Sequence, residues 1–220
     1  MTVDDAGADR APEAPSQLSE MRKITDARTM RALAHPVRIA LLEELVLGGA
    51  LTATELGERI AESPTTCSFH LRQLAKYGFV EEAGGGKGRA RPWRLTSIGI
   101  SFNNTHDDPA AELAANVLSR LVHERQLDRY RAWLENRTAY PREWRDAAND
   151  GEYLFYLTPA ELADLNREIA DLLLSKSHGR LTDPAQRPAG SVPVEMLLFA
   201  FPLQLPVADS DTEPGPGGAG

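Results

Sequence analysis

Cysteine is almost missing from this sequence: Cys67 is the only one in 220 residues. A single thiol excludes an internal disulfide framework and any zinc site built from several cysteines of one chain. Long apolar runs are missing as well. Nothing approaches the roughly 20 apolar residues of a membrane span, and the opening MTVDDAGADRAPEAPSQ is acidic and lacks the apolar centre of a secretory signal. The expected protein is cytoplasmic, with no membrane partner. The chain also lacks a nucleophile elbow, a zinc-protease helix and acids paired at informative positions, so neither an enzyme nor a cofactor is expected. His35, His70, His106, His123 and His178 show no i, i+4 pairing, and no metal site is expected; His106-Asp107-Asp108 reads as capping at a helix start.

A basic excess is the last absence. The net charge is −8, which by itself argues against nucleic acid, but residues 20–100 hold 12 Lys and Arg against 9 Asp and Glu, +3, and the remainder holds 12 against 23, −11. The acidic excess therefore lies outside one half of the chain and leaves a basic surface there intact. The length suits two small domains.

Residues 1–18, rich in Ala, Pro and Asp, read as disordered, as does the Gly/Pro-rich tail 208–220. A helical pattern from about Thr25, carried by Ile24, Ala27, Met30, Leu33 and Ala34, stops at His35-Pro36. Pro36 then opens a helix that buries Val37, Ala40, Leu41, Leu42, Leu45 and Val46 and ends at Gly48-Gly49. Thr52 with Glu55 is a capping box, with Leu56 and Ile60 buried after it. After a turn at Ala61-Glu62, Ser63-Pro64 starts a helix that runs to about Tyr77 and closes at Gly78. At 100° per residue, Cys67, Leu71 and Leu74 share its inner face. Thr65, Phe69, Arg72 and Lys76 take the opposite one, flanked by Ser68 and Gln73. Hydroxyls and cations on a helix are what donate to phosphates and base edges in a major groove. Phe79-Val80 and Trp93-Arg94-Leu95 read as short strands joined by a glycine-rich loop with Lys87, Arg89 and Arg91. That loop lacks the Gly-Lys-Ser/Thr of a phosphate loop and the strand and helix a nucleotide cradle requires.

HPVRIALLEEL, TATELGERIAESPTTCSFHLRQLAKYGFVEE and the hairpin ending WRLTSIG resemble the winged helix-turn-helix domain of ArsR-type bacterial transcriptional regulators, over about residues 22–100. The resemblance implies a homodimeric regulator, more a repressor than an activator, whose recognition helix is 63–77 and whose wing is 79–96. Base readout then falls to Thr65, Thr66, Ser68, Phe69 and Arg72, with Ser63 and Gln73 beside them, and backbone anchoring to Lys76, Lys87, Arg89, Arg91 and Arg94. One departure stands out. Where metal-sensing members carry Cys-x-Cys before an acid and a leucine, this chain has Thr52 and Thr54 before Glu55-Leu56, and hydroxyls are poor soft-metal ligands. Cys67, on the inner face, reads as a structural thiol.

A long helix is expected over 108–137. Its first part would bury Leu113, Ala114, Val117, Leu118 and Leu121, its second Leu127, Tyr130 and Leu134, and the change of face near 123–126 implies two packing partners. The first part is assigned to the second subunit and the second to the C-terminal domain. Residues 142–148 form a short helix around Trp144. Over 141–207 the pattern is a small strand-helix-strand domain: continuous apolar runs at Tyr153–Leu157 and Val192–Leu205 mark strands covered on both faces, and Thr158-Pro159-Ala160-Glu161 caps the helix between them. Tyr153, Phe155, Tyr156, Phe199 and Phe201 are candidate lining for a small-molecule effector pocket or plain core.

The expected fold is mainly α with a little β: domain 19–100, linking helix 108–137 and domain 141–207. The expected function is sequence-specific regulation through double-stranded DNA. Two other readings remain, a winged-helix protein-interaction module and a ligand-gated regulator sensing through the second domain. With Thr52 and Thr54 in place of thiols, any signal is expected to enter after residue 140.

Overall fold

Helix starts and stops in the N-terminal half are written in single side chains. In a computed structural model, which describes residues 21–84, 91–97, 99–177, 179–181 and 183–205, α1 (Ala27–Leu33) begins at Asp26, whose carboxylate accepts the Thr29 N–H at 2.8 Å. Helix α2 (Pro36–Gly48) begins at His35, whose Nδ1 accepts the Val37 N–H at 3.2 Å. Gly49, at φ 73°, ends it in a conformation that costs a residue with a Cβ dearly. Helix α3 (Ala53–Ile60) carries the capping box in full: the Glu55 carboxylate accepts the Thr52 N–H at 2.8 Å, and Thr52 Oγ1 accepts the Glu55 N–H at 3.3 Å. Its exit is Ala61, left-handed at φ 57°, which turns the chain sharply toward Ser63. Ser63 Oγ accepts the Thr66 N–H at 3.0 Å and opens α4 (Pro64–Lys76).

Beyond α4, β2 (Val80–Glu82) and β3 (Trp93–Leu95) pair antiparallel with Val80 opposite Leu95 and Glu82 opposite Trp93. A bridge between Leu51 and Trp93 ties the wing to the entrance of α3. The outer ends of the domain meet in a parallel pair, β1 (Arg22–Ile24) with β4 (Ile100–Phe102). This corrects the helical pattern expected from about Thr25: Ile24 belongs to a strand, and α1 opens at Ala27 because Asp26 supplies its cap.

One core unites these elements. Met30, Leu33, Leu41, Leu45, Leu56, Cys67, Leu71, Leu74, Phe79 and Val80 are buried together, joined by Ala114, Ala115 and Leu118 of α5 (Pro109–Asn136). Asp108 caps α5 by accepting the Ala110 N–H at 2.9 Å. The alanine face of α5 lies against α1, since small side chains let two helices approach closely. Leu113 and Val117, assigned from the sequence to a second subunit, point away from α1 and are 66% and 52% exposed in the single chain.

The second half departs most from expectation. Helices α6 (Arg142–Ala147) and α7 (Pro159–Ser177) form, the latter with its capping box at Thr158 and Glu161. Residues 153–157 and 192–205 form no strand. An apolar run states a demand for cover without naming what meets it, and among the described residues nothing lies beside either run as a ladder partner. Tyr156 is fully exposed, and Tyr153, Phe155, Phe199 and Phe201 are all exposed. These five aromatics therefore enclose no pocket among the described residues. Two shallow surface clefts, about 280 and 250 Å³, are lined instead by Arg125, Asp128, Arg129 and Ala132 and by Trp133, Arg137, Arg145, Ala148 and Asp150.

Candidate nucleic-acid interface

Helix α4 is held by its inner face. Cys67, Leu71 and Leu74 are buried in the common core, and His70 is buried beside them. Thr65, Phe69, Arg72 and Lys76 stand exposed on the other side, with Ser68 and Gln73 half-buried at its margins. Phe69 is 52% exposed, an apolar ring on an otherwise polar surface, which suits contact with a thymine methyl. Ser63 and Thr66 fix the start of α4: their hydroxyls lie 2.8 Å apart, and the Ser63 oxygen is committed to the helix cap.

A polar seam fastens the inner face of α4 to the start of α2. The rings of His35 and His70 lie 4.4 Å apart, tilted by 38°. Burial pushes both imidazoles below their usual pKa of 6.5, helped for His35 by the nearby Arg38 and for His70 by His35 and Arg38. Both are therefore neutral at pH 7, and a neutral His35 Nδ1 is what accepts the Val37 N–H. Burial likewise raises the Cys67 thiol above its ordinary value, with Glu62 adding to the effect, so Cys67 is a packed thiol and a poor nucleophile.

On the wing, sequence reasoning found the cations and missed their partners. Arg94 donates from Nε to Glu81 at 2.8 Å, and Arg91 to Glu82 at 2.6 Å. The register explains the first pair, because Glu81 sits directly opposite Arg94. In the free protein these two arginines are thus neutralised by wing carboxylates. Lys87 and Arg89 lie outside the described residues. Further back, Arg22 donates to the Gly78 carbonyl at 2.7 Å and covers the Phe79 ring at 4.3 Å, pinning the turn between α4 and the wing. Neither role of Arg22 is visible in a one-dimensional pattern.

At the position of the family's thiolate pair, the Thr52 hydroxyl donates to the Glu55 carboxylate at 2.8 Å, and the Thr52 N–H and hydroxyl hold that carboxyl below its usual pKa. His106 and Asp108 have local partners, the Asn103 carbonyl and the Ala110 N–H. Among the described residues, no group of three or more His, Cys, Asp or Glu is placed to hold a metal ion.

Two helices joined by a tight turn, the second presenting a polar and basic face, followed by a two-stranded wing, define the class: a winged helix-turn-helix, the DNA-reading unit of transcription regulators. Residues 33–83 match the family described as "Helix-turn-helix domain". The match falls within residues 22–100, the span that resembles ArsR-type regulators. The solved structures similar to the chain include two at low identity. Reduced HlyU from Vibrio cholerae is 21% identical, covering 43% of this chain and 87% of its own, at a TM-score of 0.27. A mutant of Lactococcus lactis ZitR in the apo form is 16% identical, covering 68% and 82%, at 0.25. Comparison with curated proteins returns no match. Among the described residues no helix is long and apolar enough to cross a membrane.

Proposed function

We propose that this protein is a homodimeric, sequence-specific DNA-binding repressor that sets α4 in the major groove and the wing on the adjacent backbone. The observation that carries this reading is the division of α4: Cys67, His70, Leu71 and Leu74 are locked into the core, while Thr65, Phe69, Arg72 and Lys76 are left open to solvent. Bases are read by Thr65, Ser68, Phe69, Arg72 and Gln73, and phosphates are held by Lys76, Lys87, Arg89, Arg91 and Arg94. Ser63 and Thr66 close the cap at the N-terminal end of α4, whose helix dipole suits a phosphate. The second copy is supported by Leu113 and Val117, one turn apart on α5 and turned to solvent while the alanine face is filled by α1. Two α4 helices related by a two-fold axis would then meet successive major-groove turns.

One observation favours signal entry from the C-terminal half. Arg129 of α5 bonds Glu43 of α2 at 2.6 Å and Glu195 of the C-terminal segment at 2.9 Å, linking that segment to the body on which α4 rests. The test of the proposal is a gel shift on DNA upstream of the protein's own gene. Binding that survives non-specific competitor and is abolished by Arg72→Ala supports it. No binding at low salt contradicts it.

A further inference from the structure

Residues 151–205 carry the largest demand in the molecule that the described chain does not meet. The run 153–157 and the segment 192–205 form no helix or strand and belong to no sheet among the described residues. Between them α7 presents Leu162, Leu165, Ile169 and Leu173, half-covered, with Leu172 59% exposed, and no other element packs substantially against it among the described residues. A helix in a protein takes most of its stability from packing its apolar face. Sixteen large apolar side chains between Tyr153 and Leu205 are exposed among the described residues, more than the scattered apolar exposure of an ordinary monomer.

We propose that these elements form an exchanged dimer arm: the runs 153–157 and 194–201 and the apolar face of α7 are covered by the same elements of a second copy of this chain. This rests on the dimer reading above only in requiring two copies, and it adds a contact that α5 does not supply.

Charge selects this occupant. Residues 141–205 hold 10 Asp and Glu against 6 Lys and Arg, which an anionic lipid surface would repel. The runs themselves carry a single charge, Glu195, already held by two bonds from Arg129, so bringing two copies together brings no uncompensated charge with them. Dimension points the same way. Two apolar runs on either side of a 19-residue helix exceed what a small molecule in a cavity of a few hundred Å³ can cover, whereas a two-fold axis uses each run twice. Continuity adds a third reason. Arg129 to Glu195, and the edge-on contact of His123 with Phe199 at 5.0 Å, fasten the second run along α5. There it lies on the helix that also exposes Leu127, Tyr130 and Leu134. Pro193 and Pro202 bound the stretch able to donate to a ladder, leaving 194–201 uninterrupted.

The experiment uses the full chain, with sedimentation equilibrium and amide hydrogen exchange read on the same samples, for wild type and for Phe155→Asp with Phe201→Asp. The expected result is a wild-type dimer whose amides at 153–157 and 194–201 exchange slowly. In the double variant those amides exchange fast, the dimer Kd rises at least tenfold, and protection of α2 to α4 is unchanged. A dimer whose arm amides exchange fast, or one the substitutions do not weaken, overturns the arm and leaves the α5 dimer standing. A monomer overturns both. Arm protection that appears only on adding phospholipid vesicles or a metabolite panel assigns another occupant and also overturns it. Should the double variant fail to fold, the wild-type exchange pattern alone decides.

Discussion

Replacing Glu81 with glutamine should tighten DNA binding, although it removes an ion pair. In the free protein Glu81 accepts from Arg94 at 2.8 Å across the wing hairpin, and both side chains are partly open to water. To hold a phosphate, Arg94 must give up that carboxylate. A pair this exposed is worth about 0.2–1 kcal/mol, which at 1.4 kcal/mol per decade corresponds to about a 1.5- to 5-fold gain in affinity. Removing a carboxylate from beside the phosphates adds to the gain in the same direction. Fluorescence anisotropy with a labelled duplex, read across a salt series, measures both affinity and slope. Arg94→Ala should flatten the log-log salt slope by about 0.9, one phosphate contact. The double variant isolates the coupling: once Arg94 is gone, Glu81→Gln should retain only the smaller gain that comes from removing its charge. An affinity unchanged or lowered by Glu81→Gln, or a gain of equal size with and without Arg94, would refute the view that this carboxylate competes with DNA for the wing.

Three further outcomes follow from named contacts. Leu71→Ala empties part of the core behind the recognition helix and should cost about 2–5 kcal/mol, lowering Tm by about 5–15 °C in a chain of this size as read by circular dichroism; an unchanged Tm would mean that Leu71 is not packed as described. Glu43→Gln removes the charge shared by Arg125, at 2.7 Å, and Arg129, at 2.6 Å, and should lower stability by about 1–2 kcal/mol after screening is allowed for, seen as a smaller urea midpoint at unchanged m-value. Because His35 and His70 titrate below 6.5 when folded, the unfolded chain takes up protons first; stability should therefore be full above that pH, fall as the pH drops through it, and level off once the folded imidazoles also protonate. His70→Gln should shrink that fall, and an identical pH profile for the variant would dismiss the seam as its origin.

How much of this was legible in the sequence depended on whether the signal was local. Thr52 with Glu55, Ser63 with Pro64, and Thr158 with Glu161 are caps whose partners lie within three residues, and each forms as read. The inner face of α4 was legible because Cys67, Leu71 and Leu74 recur at helical spacing. Other features depend on partners far along the chain. The three-residue strands β1 and β4 are too short to show a period and pair across most of the domain. Arg94 meets Glu81 only once the hairpin register is set. On α5 the alanines meet α1 while the bulky Leu113 and Val117 stay open in the single chain, a division between neighbouring faces that helical spacing alone does not show. The apolar runs after residue 150 form no strand within the described chain for a related reason: hydrophobicity marks a surface that must be covered and is silent on which chain covers it.

The most direct measurement is affinity for the protein's own upstream DNA, against a scrambled duplex of equal length and composition, for wild type and for Arg72→Ala with Lys76→Ala. Both side chains are exposed on α4, so the fold should survive, as amide exchange in the core can verify. The expected result is tight, steeply salt-dependent binding that prefers the upstream sequence and loses both strength and preference in the variant. Equal affinity for the two duplexes, or a preference that persists without Arg72 and Lys76, would contradict α4 as the element that reads DNA.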